Sequence, residues 1–151
     1  MSEPGTTKRT MLGEILRYHT SQAVPCITAI DGPLKPGKGF IIRGIVNTNP
    51  TRIDINFRHK HGIAFHFNPR FTENRIVCNT CDVAWGEPEY PSAMPFKAGQ
   101  PFEVYIYCTD RGFNVFVDGN QIHTYNHRFK QLNDIDVLGV RGDLQVTSVV
   151  A

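Results

Sequence analysis

Residues 52–57, Arg52-Ile53-Asp54-Ile55-Asn56-Phe57, and residues 63–68, Ile63-Ala64-Phe65-His66-Phe67-Asn68, each place a large apolar side chain at every second position. A period of two is the signature of an extended strand, whose successive side chains leave on opposite faces. Ile53, Ile55 and Phe57 are therefore expected to enter a core, with Arg52, Asp54 and Asn56 on a wet face. In the second run Ile63, Phe65 and Phe67 share one face, and Ala64, His66 and Asn68 the other. The intervening Arg58-His59-Lys60-His61-Gly62 reads as a polar, solvated turn.

The pattern extends in both directions. Upstream, Lys35-Pro36-Gly37-Lys38-Gly39 is turn chemistry and residues 40–46 are rich in β-branched side chains; Asn47-Thr48-Asn49-Pro50 turns the chain again. Downstream, residues 75–79, 102–108 and 112–117 read as strands. Asp118-Gly119 is a strong hairpin signal, with 121–125 as the returning strand. Residues 132–135 form a short turn, and 136–140 and 144–149 complete the set. Ten or eleven short strands without a long helix predict an all-β sandwich.

The 151 residues, 40% hydrophobic and 20% charged, suit one domain that buries roughly 70% of its unfolded surface. A net charge of +2 is too small to mark a nucleic-acid partner. No apolar run reaches the roughly 20 residues needed to cross a bilayer, so no membrane insertion is expected. Residues 1–22 lack the apolar centre of a secretory signal, which makes the cytoplasm the expected location. Cysteines 26, 78, 81 and 108 show no framework spacing and are expected as thiols.

Residues 1–23 are polar and read as a leader, either flexible or carrying a short helix. Thr10 is a candidate cap, and Met11/Ile15 and Leu12/Leu16 stand four apart. The domain proper is expected over residues 24–151.

His66, Asn68 and Arg70, followed by Asn79 and Trp85, form a set suited to holding a sugar. Sugar hydroxyls both donate and accept, so they require partners of fixed direction, and the fork of an arginine can serve two oxygens. One aromatic ring can cover a C–H face of the sugar, and Trp85 is the only tryptophan.

These residues carry a resemblance. His66-x-Asn68-Pro69-Arg70, Val77-x-Asn79, Trp85-Gly86, Pro95-Phe96 and Gly142-Asp143-Leu144 resemble a galectin carbohydrate-recognition domain over residues 24–150. The resemblance implies a jelly-roll β-sandwich of two antiparallel sheets, five- and six-stranded, with a sugar groove on the six-stranded face. It implies that His66, Asn68 and Arg70 bond the axial hydroxyl and ring oxygen of galactose. It further implies that Asn79 bonds the 6-hydroxyl and that Trp85 stacks on the ring. Arg52 and Asn56 would line an extension of the groove. The implied partners are β-galactoside glycans and glycoproteins. A homodimer, and a nuclear or extracellular location reached by leaderless secretion, are left open.

The pattern departs from the family at one place. Galectins usually continue from the tryptophan as W-G-x-E-x-R, and the glutamate and arginine positions here hold Pro88 and Tyr90. The chain is one residue short between Asn79 and Trp85; a count from Asn79 would put Glu89 at the glutamate position, but the count from Trp85 keeps Pro95-Phe96 in place. Weakened or altered lactose binding is therefore expected, with Glu87, Glu89 and Tyr90 as secondary candidates for rebuilding the site. The competing expectation is a galectin-related protein-interaction module that has lost lactose binding.

Other chemistries have less support. Cys78-Asn79-Thr80-Cys81 is a single C-x-x-C at a strand end, and His59-Lys60-His61 stands alone, so no metal site is expected. No nucleophile has a base motif beside it and Gly37-Lys38-Gly39 lacks a phosphate-loop frame. Neither catalysis nor a cofactor is expected.

Overall fold

The computed structural model describes residues 23–151, within which eleven strands form two antiparallel sheets. One sheet orders β1 (Cys26–Ala29), β10 (Val137–Gly142), β3 (Ile53–His59), β4 (Gly62–Arg70), β5 (Arg75–Asp82) and β6 (Ala84–Trp85). The other orders β11 (Leu144–Val150), β2 (Gly39–Val46), β7 (Pro101–Cys108), β8 (Gly112–Val117) and β9 (Asn120–Asn126). This is the expected all-β sandwich of a six- and a five-stranded sheet. The strands without a sequence signal, β1 and β6, are four and two residues long, too short to show a period. The candidate helix near Thr10 lies outside the described residues. No helix among the described residues is long and apolar enough to cross a membrane.

Alternation built the core. Phe57 and Phe65 from the six-stranded sheet stack on Phe113 of the five-stranded sheet, each at 5.1 Å between ring centroids, and Phe65 also stacks on Tyr125 at 4.6 Å. Each such ring contributes about 1.5–3 kcal/mol of burial. At the β8–β9 hairpin Asp118 and Gly119 both hold positive φ, 50° and 85°, as a two-residue turn that follows the strand twist requires.

Two expectations fail in the six-stranded sheet. Asp54 and Asn56 are not wet: each is only 3% exposed. Strand β3 lies between β10 and β4, and the long side chains of Arg52 and Arg141 reach over its short polar residues to within 2.7 and 3.4 Å of the Asp54 carboxylate. His59 is likewise no part of a solvated turn. It ends β3, is buried, and stacks on Phe129 with ring centroids 3.8 Å apart.

Candidate functional site

The six-stranded sheet arranges its polar residues in cross-strand rows. Asn56 pairs with His66, and His66 with Asn79. Asn68 pairs with Val77; Arg70 pairs with Arg52 on one side and Arg75 on the other. A bulge between Ile63 and His66 resets the β4–β5 register, and Thr80 anchors it by donating to the Ala64 carbonyl at 2.8 Å. The start of β3 is fixed by Asp143, whose carboxylate accepts from the Thr51 and Arg52 amides at 2.8 and 3.0 Å. Gly142 beside it must be glycine: φ is +115°, and a Cβ would lie 2.4 Å from the Arg52 carbonyl oxygen.

His66, Arg52, Arg70, Asn79 and Trp85 converge on one cavity of about 310 Å³, whose wall also includes Val77, Pro88 and Tyr90. Asn68 lies beneath rather than on that surface. It is fully buried, donates to the Ile53 carbonyl and to Asp54, and accepts from Arg70 Nε at 2.8 Å and Arg52 Nη2 at 3.3 Å. Both amide protons and both oxygen lone pairs are thus occupied. Asn68 thereby holds Arg52 and Arg70 in place. Asn56 is also a support: its Oδ1 is 2.6 Å from His66 Nδ1.

Asp54 neutralises this basic floor. Its carboxylate accepts from Arg52 at 2.7 Å, faces Arg141 at 3.4 Å and lies 3.7 Å from His66 Nε2. A buried carboxylate is tolerable with this degree of compensation. His66 is pushed down to about 4 by burial, which outweighs the opposing pull of Asp54; Arg52 and Arg70 add to the depression. Its ring is neutral near neutral pH, with one nitrogen spent on Asn56 and the other beside the cavity.

Asn79 is held from several directions. Its Nδ2 donates to the Gly86 carbonyl at 2.9 Å, while Oδ1 accepts from the Thr80 amide at 2.8 Å and Arg128 Nη1 at 3.1 Å. Arg128 in turn donates to Glu89 at 2.9 Å, and His123 lies 2.8 Å from the same carboxylate. Gly86 makes room for this: a Cβ there would stand 3.1 Å from Arg128 Nη1. One Asn79 amide proton is left for a ligand.

The segment after Trp85 runs antiparallel to β5, with Glu89 and Cys78 exchanging backbone hydrogen bonds at 2.8 Å. Alternation then turns Pro88 and Tyr90 toward the cavity and Glu89 toward Arg128 and His123. The Tyr90 ring is braced by the Arg75 guanidinium at 4.1 Å, and Arg75 is tied to Glu73 at 3.2 Å. Trp85 is 52% exposed and tilts over His66 with ring centroids 4.8 Å apart. Glu87 is exposed and does not line the cavity.

Sequence reasoning overlooked three members of this constellation. Arg128 lies in a segment without a local signal, Arg141 falls between the expected strand 136–140 and Gly142-Asp143-Leu144 without being singled out, and Asp54 was read as a solvated residue. The C-x-x-C divides between faces: Cys78 is fully buried in the core and its thiol is pushed strongly upward by burial, whereas Cys81 is partly exposed and pairs with Trp85. Among the described residues, no group of three or more His, Cys, Asp or Glu could hold a metal ion.

Comparison with known proteins gives a consistent result. The family model described as galactoside-binding lectin matches residues 25–151. Mouse galectin-3 is 42% identical over 129 residues, covering 83% of this chain and 49% of the relative. Rat galectin-8 is 37% identical over 131 residues, covering 84% of this chain and 42% of the relative. The chain thus spans about half the length of the curated relatives it matches. Sheep galectin-11, solved in complex with glycerol, superposes with a TM-score of 0.79 at 26% identity, over 86% of this chain and 98% of that one.

Proposed function

Because the chain belongs to the galectin family of galactoside-binding lectins, we propose that its groove binds β-galactoside-bearing glycans and holds lactose more weakly than a groove with a complete W-G-x-E-x-R motif. One observation carries this reading. His66, Arg70, Asn79 and Trp85 line a single cavity, and the two residues that face it at the glutamate and arginine positions are Pro88 and Tyr90. The first four supply directed hydrogen bonds and a stacking ring. Pro88 supplies no polar side-chain atom, and a hydrogen bond to a charged group is worth about 1.5–3 kcal/mol. A millimolar complex has only about 4 kcal/mol in total, so this loss is large on that scale.

The test is a titration of lactose followed by Trp85 fluorescence and by calorimetry. Saturable but weak binding is expected, removed by Arg70→Ala or by Asn79→Ala. Each variant also lowers the melting temperature, because it leaves buried hydrogen-bond partners unpaired, and each retains a native β-type circular dichroism spectrum at the temperature of the titration. Absence of any response to lactose and to simple β-galactosides would overturn the proposal and favour the interaction module.

A further inference from the structure

The cavity has two chemically different parts. His66, Arg52, Arg70 and Asn79 give it a polar floor, and Val77, Trp85, Pro88 and Tyr90 give it an apolar wall. Val77 belongs to that wall rather than to the core: it is 5% exposed, yet β5 turns it to the same face as Asn79, and it is no member of the inter-sheet cluster. Trp85 and Tyr90 are about half exposed, so each presents a ring that gains burial when a ligand covers it. The wall is also fixed in place. Arg75 braces Tyr90, Glu73 holds Arg75, and the Cys78–Glu89 backbone bonds pin the segment that carries Pro88 and Tyr90.

Resting on the galactoside-binding reading, we infer that this wall is an aglycone subsite selective for apolar and aromatic substituents on the galactoside rather than for a second sugar. A second sugar brings hydroxyls that lose water on entering. Pro88 and Val77 offer them no partner, and Tyr90 offers one hydroxyl. An aromatic aglycone loses no such bonds and covers Tyr90 and Pro88, next to the Trp85 ring on which the galactose stacks, gaining ring contacts and apolar burial. The position that would discriminate polar from apolar substituents is therefore filled for the apolar kind.

The experiment measures dissociation constants for methyl β-galactoside, lactose and phenyl β-galactoside on the full chain, and repeats them with Tyr90→Ser. Phenyl β-galactoside is expected to bind at least about fivefold more tightly than the methyl glycoside, equivalent to about 1 kcal/mol, with lactose no tighter than the methyl glycoside. In Tyr90→Ser the phenyl-to-methyl ratio is expected to fall below about twofold, on the same affinity arithmetic. Binding of methyl β-galactoside with no phenyl preference, or a preference unchanged in Tyr90→Ser, would overturn the subsite and leave the galactoside reading standing. Failure to bind all three would overturn the galactoside reading, and this inference with it.

Discussion

Arg128 donates to Asn79 Oδ1 at 3.1 Å from 49 positions along the chain, so the orientation of a groove asparagine is set by a residue beyond the β8–β9 hairpin. The same guanidinium is held by Glu89 and lies 4.9 Å from the centre of the Tyr125 ring. Replacement by glutamine removes the fixed fork and leaves the Asn79 carboxamide held by Thr80 and Gly86 alone. A charge-assisted bond of this kind is worth about 1.5–3 kcal/mol, so Arg128→Gln is expected to weaken galactoside binding roughly tenfold or more. Arg128→Lys should recover only part of this, since a point charge cannot serve Asn79 and Glu89 in the same geometry. Trp85 fluorescence titration checks both; affinity unchanged in Arg128→Gln would show that Asn79 holds its orientation without it.

Burial of His66 makes stability depend on acid. Its native value is depressed to about 4 from 6.5, so between those limits the unfolded chain binds a proton that the native chain refuses. Unfolding free energy therefore rises with pH through this window: the full contribution is present above pH 6.5, and it is lost as pH falls toward 4. The total is up to about 3 kcal/mol at 1.36 kcal/mol per pKa unit. Urea denaturation at intervals from pH 4 to 7.5 should show this slope, and His66→Asn should flatten it. An equal slope in the variant would assign the acid sensitivity to other groups.

Legibility in the sequence followed the strength of the local period. Strands β3 and β4 were readable because large apolar residues recur at every second position and meet Phe113 across the sandwich. The groove residues His66, Arg70, Asn79 and Trp85 were readable as a motif, and three strands, β4, β5 and β6, do bring them to one cavity. Burial on the outer face was not readable. Alternation separates the two faces of a strand but carries no information on whether arginines from elsewhere cover the polar one, as Arg141 does over Asp54. Nor could any local pattern show that Asn68 is saturated from within or that Arg128 reaches Asn79, because both depend on pairings across the fold.

The link between Asn79 and Trp85 holds a valine in the left-handed region of the backbone. Val83 sits at the tip between β5 and β6 with φ +68° and 98% of its surface exposed. A β-branched residue in the left-handed region costs about 1–2 kcal/mol, and its exposed side chain recovers nothing by packing. Asparagine tolerates that region, so Val83→Asn should stabilise the protein by about 1 kcal/mol, a rise in melting temperature of about 2–5 °C. Differential scanning calorimetry provides the comparison. A lower melting temperature would mean that valine is not strained there.

The apolar wall itself can be reverted. Pro88 contributes no backbone donor to the Cys78–Glu89 ladder, so Pro88→Glu breaks no strand hydrogen bond and places a carboxylate on a cavity lined by Arg52 and Arg70. Tyr90→Arg alone would set a second guanidinium where Arg75 now lies 4.1 Å from the ring centre, and like charges so placed repel. The double variant supplies the opposite charge that the single one lacks. It is therefore expected to bind lactose roughly tenfold more tightly, as one recovered charged hydrogen bond would provide, while Tyr90→Arg alone gains nothing. Calorimetric titration with lactose distinguishes these outcomes. Unchanged affinity in the double variant would show that Pro88 and Tyr90 do not limit lactose binding.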